Sequence, residues 1–119
     1  MPNDAQSEAL KPLELSLLIC LLEGPCHGYA LVQRLEEETE GRVQVLPGNL
    51  YAVLSRLEEA GWIERSEPPA EATDARRRYY RLSAVGVARL EAETRALERQ
   101  LGLARSRLAG SRAVGRSRP

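Results

Sequence analysis

A chain of 119 residues, 43% apolar and 29% charged, has room for one small globular core and an accessory element, not for two cores. Its longest nearly uninterrupted apolar run, residues 15–22, is far short of the roughly 20 residues a membrane helix needs, and no signal peptide or disulfide framework is read from the acidic N-terminus and two cysteines. The formal charge of zero hides an asymmetry: residues 1–75 hold 5 basic and 14 acidic side chains, while residues 76–119 hold 12 arginines and three glutamates.

A reduced, cytoplasmic protein is therefore expected. A segregated basic surface is an electrostatic footprint for polyanions, although two opposite halves can also simply attract each other.

In chain order, Leu10, Leu13, Leu17 and Cys20/Leu21 recur at helical spacing, and Leu15, Leu18 and Leu22 fill a second stripe. A helix apolar on most sides is a central one, and Gly24-Pro25 ends it. The stretch "HGYALVQRLEEETEG" predicts a shorter helix with Tyr29, Leu31, Val32 and Leu35 inward and Gly41 as its stop. The following "RVQV" is too short to assign.

The third element is the clearest. In "LPGNLYAVLSRLEEAGWIERS", Pro47 suits a first helical turn, and Leu50, Val53, Leu54 and Leu57 form one buried stripe. Gly61 stands where a left-handed residue ends a helix. Asn49, Tyr51, Ala52, Ser55, Arg56 and Glu59 are left on the exposed face. A strand from Trp62, a loop with two prolines and a second strand "RRRYYRL" predict a hairpin. Strand alternation puts Arg78, Tyr80 and Leu82 on one face and Arg77, Tyr79 and Arg81 on the other, with Tyr80 and Leu82 on the core.

Ser83 caps a long last helix in which Val87, Leu90, Thr94, Leu97, Leu101, Ala104 and Leu108 alternate in steps of three and four, a heptad seam. Such a helix, ending at Ala109, extends about 40 Å, too long for one small core to cover. The expected organisation is a flexible N-terminus (1–9), a winged helix-turn-helix domain (10–82), a C-terminal dimerisation helix (83–109) and a disordered basic tail (110–119). The fold class is mainly α with a small β element. Leu90, Leu97, Leu101 and Leu108 are the expected dimer contacts.

No chemistry of an enzyme stands out. One histidine and two cysteines cannot complete a tetrahedral metal set within one chain, so only a site shared between subunits around Cys26-His27 stays open. Neither a Gly-rich phosphate loop nor a Ser/His/Asp set is present. No catalytic residue, metal or cofactor is expected.

In this order and spacing, "HGYAL" at 27–31, "LPGNLYAVLSRLEEAGWIE" at 46–64 and "RRRYYRLSAVG" at 76–86 resemble the PadR family of bacterial transcriptional regulators, over roughly residues 10–108. The resemblance implies a homodimeric, usually repressing, DNA-binding protein of the short form, whose single C-terminal helix supplies the dimer contact. It implies that the turn of His27 and Tyr29 lies against the DNA backbone; a core Tyr29 and a capping His27 are the structural alternative. Two departures stand out. The wing loop carries Glu67, Glu71 and Asp74, against deep insertion of its tip into a groove. Some members hold flat drugs between tryptophans of the dimer helix, whereas Trp62 is the only tryptophan here.

On this reading Asn49, Tyr51, Ser55 and Arg56 face the major groove, and Arg76, Arg77 and Arg78 position phosphates. Pairing of the strand arginines with Glu64 or Glu67 is the rival. The expected function is a sequence-specific regulator, a repressor, binding an inverted repeat of double-stranded DNA as a homodimer, with no membrane partner and with any small-molecule effector unspecified. The alternative is a winged-helix module that holds an acidic partner protein.

Overall fold

The computed structural model describes residues 8–116 apart from Pro47 and Thr73. Its elements run α1 (Pro12–Leu21), β1 (Cys26–His27), α2 (Gly28–Thr39), α3 (Leu50–Glu59), β2 (Ile63–Ser66), β3 (Tyr79–Leu82) and α4 (Ala84–Arg116). This is a winged helix with a long C-terminal arm.

Helix α1 starts with Pro12, and the Glu14 carboxylate accepts the Lys11 N–H at 3.0 Å. Both of its apolar stripes reach the core except at Leu22, which is 56% exposed. Leu17, Leu18, Cys20 and Leu21 are buried, and Leu13 and Leu15 pack against the same cluster. Helix α2 is capped by His27, whose Nδ1 accepts the Ala30 N–H at 3.2 Å. It closes through Glu40 and Gly41, both at positive φ, with the Gly41 N–H on the Glu36 carbonyl. Its buried stripe is Gly28, Leu31 and Leu35. Tyr29 lies two residues from Leu31, about 200° round the helix, and is 59% exposed. The expectation of an inward Tyr29 is thus corrected.

Helix α3 buries Leu50, Val53, Leu54 and Leu57, and Gly61 follows it at φ 81°. It begins at Leu50 with Asn49 as N-cap, later than a first turn at Pro47 would put it; Pro47 itself is outside the described residues.

The wing has a third strand that alternation could not show. The sheet order is β1-β3-β2, all antiparallel, with Cys26 opposite Tyr80 and Ile63 opposite Leu82. Two residues after a proline carry no period to read. This strand changes the fate of Tyr79: with His27 edge-on at 5.4 Å, it is buried like Tyr80 on the opposite face.

Ser83 begins α4. Its Oγ accepts the Gly86 N–H at 2.9 Å and donates to the Gly61 carbonyl, and its own N–H reaches the Trp62 carbonyl at 3.1 Å. A Cβ on Gly86 would stand 1.9 Å from that same Trp62 oxygen, so only glycine lets the helix approach so closely. One turn later an ion pair missed by the sequence reading lies inside: Arg89 and Glu93, 3.1 Å apart, are both at least nine-tenths buried. Glu93 also accepts the Leu10 N–H at 3.1 Å, and Arg89 donates to the Glu8 carbonyl and lies 5.5 Å over the Trp62 ring. The pair ties the chain start and the wing to α4.

Leu90 is buried in the core cluster, which removes it from the expected dimer contacts. The remaining leucines behave differently: Leu97, Leu101 and Leu108 are exposed, and nothing from Thr94 to Arg112 is buried. The helix continues to Arg116 instead of ending at Ala109. Alanine and arginine favour helix, and Gly110 and Gly115 cost only about 1 kcal/mol each. The expected tail is thus helical through Arg116, and residues 117–119, like 1–7, lie outside the described residues.

Candidate nucleic-acid interface

The site is assembled from three segments distant in sequence. Helix α3 contributes an open polar face of Asn49, Tyr51, Ala52, Ser55 and Arg56, all exposed. Their exposure follows from the burial of Leu50, Val53, Leu54 and Leu57 on the other side. The Tyr51 hydroxyl packs on the start of α2, where a Cβ on Gly28 would meet it at 2.9 Å. Tyr51 and Arg78 also line one shallow hollow.

The wing returns to the same place. The Arg77 guanidinium lies 5.6 Å over the exposed ring of Tyr29, which stacks at 6.5 Å on His27. His27, Tyr29, Tyr51, Arg77 and Arg78 therefore form one connected surface, and Asn49, Ser55 and Arg56 extend it along α3. Cations over aromatic faces are held in place without losing their outward N–H donors.

The three wing arginines differ. Arg76 and Arg77 share the Asp74 carboxylate, at 3.7 and 3.4 Å, and the Arg76 N–H also donates to it at 3.0 Å. Arg78 has no ion pair among the described residues; its pKa is raised further, first by the Tyr80 phenol and less by Tyr51 and Glu58. Arg81 pairs with Glu64 at 2.8 Å, as the rival reading of the strand expects, and Arg65 pairs with Glu58 at 3.5 Å. Asp74 thus holds two arginines in place, while Glu67 and Glu71 remain exposed in the loop.

His27 is a base kept neutral. Burial and the nearby Arg77 cation lower its pKa, against a smaller opposite effect of Asp74, and a neutral Nδ1 is what the cap to Ala30 requires. The thiols are poor nucleophiles. Burial, then Glu38, pushes Cys20 up to about 12, and burial raises Cys26. Among the described residues no group of three or more His, Cys, Asp or Glu side chains is placed to hold a metal ion. Among the described residues no helix is long and apolar enough to cross a membrane.

A winged helix with an open third helix and a cationic wing is a DNA-binding module of the transcription-regulator class. Comparison with known proteins agrees. The model of the transcriptional regulator PadR-like family matches residues 17–92. An uncharacterised protein of Lysinibacillus sphaericus is 33% identical over 79 residues, 66% of this chain and 71% of that one. Solved structures share the fold, among them the three that follow. A transcriptional regulator of Clostridium thermocellum has 21% identity and a TM-score of 0.67, covering 89% of this chain and 96% of that one. A PadR family transcription regulator of Clostridium difficile has 22% and 0.68, covering 82% and 99%. A PadR-like transcription factor of Bacteroides fragilis has 25% and 0.60, covering 81% and 88%. This chain belongs to the PadR-like family, a family of transcriptional regulators and not of enzymes.

Proposed function

We propose that the protein is a homodimeric repressor that binds an inverted repeat of double-stranded DNA, reading bases with α3 and holding phosphates with the wing. The observation that carries this is the convergence of His27, Tyr29, Tyr51, Arg77 and Arg78 on one surface beside the open face of α3. Asn49 and Arg56 have the groups that pair with adenine and guanine edges. Tyr51 and Ser55 can donate to phosphate oxygens, and Arg78 is the wing residue most available for one. The exposed seam of Leu97, Leu101 and Leu108 supports a two-fold partner. Such a regulator works beside the chromosome, in the cytoplasm.

The test begins with recovery of the DNA bound in the native cell and continues with alanine variants on the recovered site. Asn49→Ala or Arg56→Ala is expected to cost roughly 1–3 kcal/mol on that site and less on random duplex. Equal losses on both would reassign that residue to backbone positioning. The exposed Glu67 and Glu71 favour the second reading, a module for a partner protein. Binding to duplex with no salt dependence and no sequence preference would favour it over the repressor.

A further inference from the structure

The segment that leads into α3 carries an apolar side chain that the fold does not use. Val43 and Val45 pack against the core cluster, while Gln44 and Leu46 are exposed. This alternation is that of extended chain lying on a core, and it turns Leu46 outward. At 76%, Leu46 is the most exposed large apolar side chain among the described residues. Single apolar side chains at a surface are common; the place of this one is what sets it apart.

The Leu46 carbonyl accepts the Asn49 N–H at 2.8 Å, a turn that delivers the chain into α3 with Asn49 as N-cap. Such a turn keeps its first and fourth Cα atoms within about 7 Å, so Leu46 and the exposed Asn49 stand side by side at the N-terminal tip of α3. Between them Gly48 is exposed too. Its φ lies outside the left-handed region, and a Cβ there would meet no described atom within 4 Å. Neither backbone conformation nor packing asks for glycine, whose extra conformational freedom opposes folding. A missing side chain on such a turn leaves room for something outside the chain to come close.

We propose that Leu46 reads a thymine of the operator by apolar contact with its C5-methyl group in the major groove, while Gly48 lets the turn approach the base edges. This rests on the DNA reading of the proposed function and deepens it by naming a base and the residue that selects it. The residues at the N-terminal end of a helix in the major groove are those that reach base edges. The thymine methyl is the apolar feature that those edges display, and a leucine side chain has no group with which to read any other. Phosphate oxygens offer it nothing, which separates Leu46 from Tyr51 and Arg78. Asn49 beside it has the groups for adenine N6 and N7. Base pairs follow one another at roughly 3.4 Å, so the two side chains span about two steps and together select an A·T-containing stretch.

The test uses a duplex that the full chain itself selects from a random-sequence library. Its thymines are replaced one at a time by uracil, which keeps the base pairing and removes only the methyl. At one of them the wild type is expected to bind about fourfold more weakly, the affinity lost with one buried methyl group. Leu46→Ala is expected to bind the thymine duplex more weakly and to be indifferent to uracil at that position, while responding like the wild type at the others. A folding defect would lower affinity for both duplexes and leave their ratio unchanged. Gly48→Ala is expected to weaken duplex binding with no loss of thermal stability. A thymine-to-uracil ratio equal in the wild type and Leu46→Ala at every position would overturn the inference and leave the repressor standing. Gly48→Ala with wild-type affinity would overturn the close approach of the turn. A wild-type chain that enriches no sequence would remove the DNA reading itself, and the thymine contact with it.

Discussion

Asp74 lies within 4 Å of two of the three wing arginines, so the phosphate contacts proposed for Arg76 and Arg77 would compete with an internal carboxylate. The competition is weak, since exposed pairs contribute at most about 1 kcal/mol. It still has a direction. Asp74→Asn is expected to strengthen binding to any duplex and steepen its salt dependence, while Arg78→Ala flattens the slope by about one unit. Anisotropy titrations at several salt concentrations measure both. An unchanged slope in both variants would place the wing away from the phosphates. His27 adds a pH effect. Its folded pKa lies below the unfolded value of 6.5, so the unfolded chain takes up a proton first as pH falls. The cap therefore contributes fully above about pH 6.5 and is lost as pH falls through the folded value. Urea unfolding of the wild type should weaken from pH 7.5 to 5.5 more than that of His27→Asn, which keeps a capping side chain without a titrating ring. Equal pH dependence would mean that the ring does not cap α2.

At the scale of elements, α4 is fixed by an ion pair with both partners out of water. Losing one side leaves a buried charge alone, so Arg89→Met or Glu93→Gln is expected to cost about 3–5 kcal/mol, and Arg89→Met with Glu93→Leu much less than the two together. Denaturant unfolding of the three variants decides it; additive losses would deny the coupling. This pair also shows where the sequence runs out. The stripes of α1 and α3, and the caps at Ser83 and Gly61, are local patterns that packing did not overrule. Arg89 and Glu93 look like any surface i,i+4 pair until Trp62 and the chain start cover them. The same holds for β1, whose two residues pair only with a strand more than fifty positions away, and for Tyr79, buried by that strand. Leu90 kept the heptad phase but met its own core first. Of the candidate interface, the exposure of the α3 face was legible from its buried stripe. The contact of Arg77 with Tyr29 was not, because nothing local links residue 77 to residue 29.

For the whole molecule, the division of labour within α4 would make the proposed dimerisation separable from folding. Its first three turns hold the buried residues Gly86, Arg89, Leu90 and Glu93, whereas Leu97, Leu101 and Leu108 lie 38%, 49% and 54% exposed on an arm that takes the molecule to 65 Å in length. A helix this exposed on its apolar side is stabilised chiefly by what packs on it. A two-fold partner on that seam would set two α3 helices about one DNA turn, roughly 34 Å, apart, so each half-site adds its binding energy to the other. Leu97→Asp with Leu101→Asp removes the seam without touching the core of the winged helix. Sedimentation is then expected to show monomers, near-ultraviolet circular dichroism of Trp62 and the buried tyrosines to stay unchanged, and affinity for an inverted repeat to fall to that for a single half-site. Retention of full affinity by a monomeric variant would show that one winged helix suffices for recognition. A variant still dimeric would move the interface off α4 and onto the exposed residues of α1.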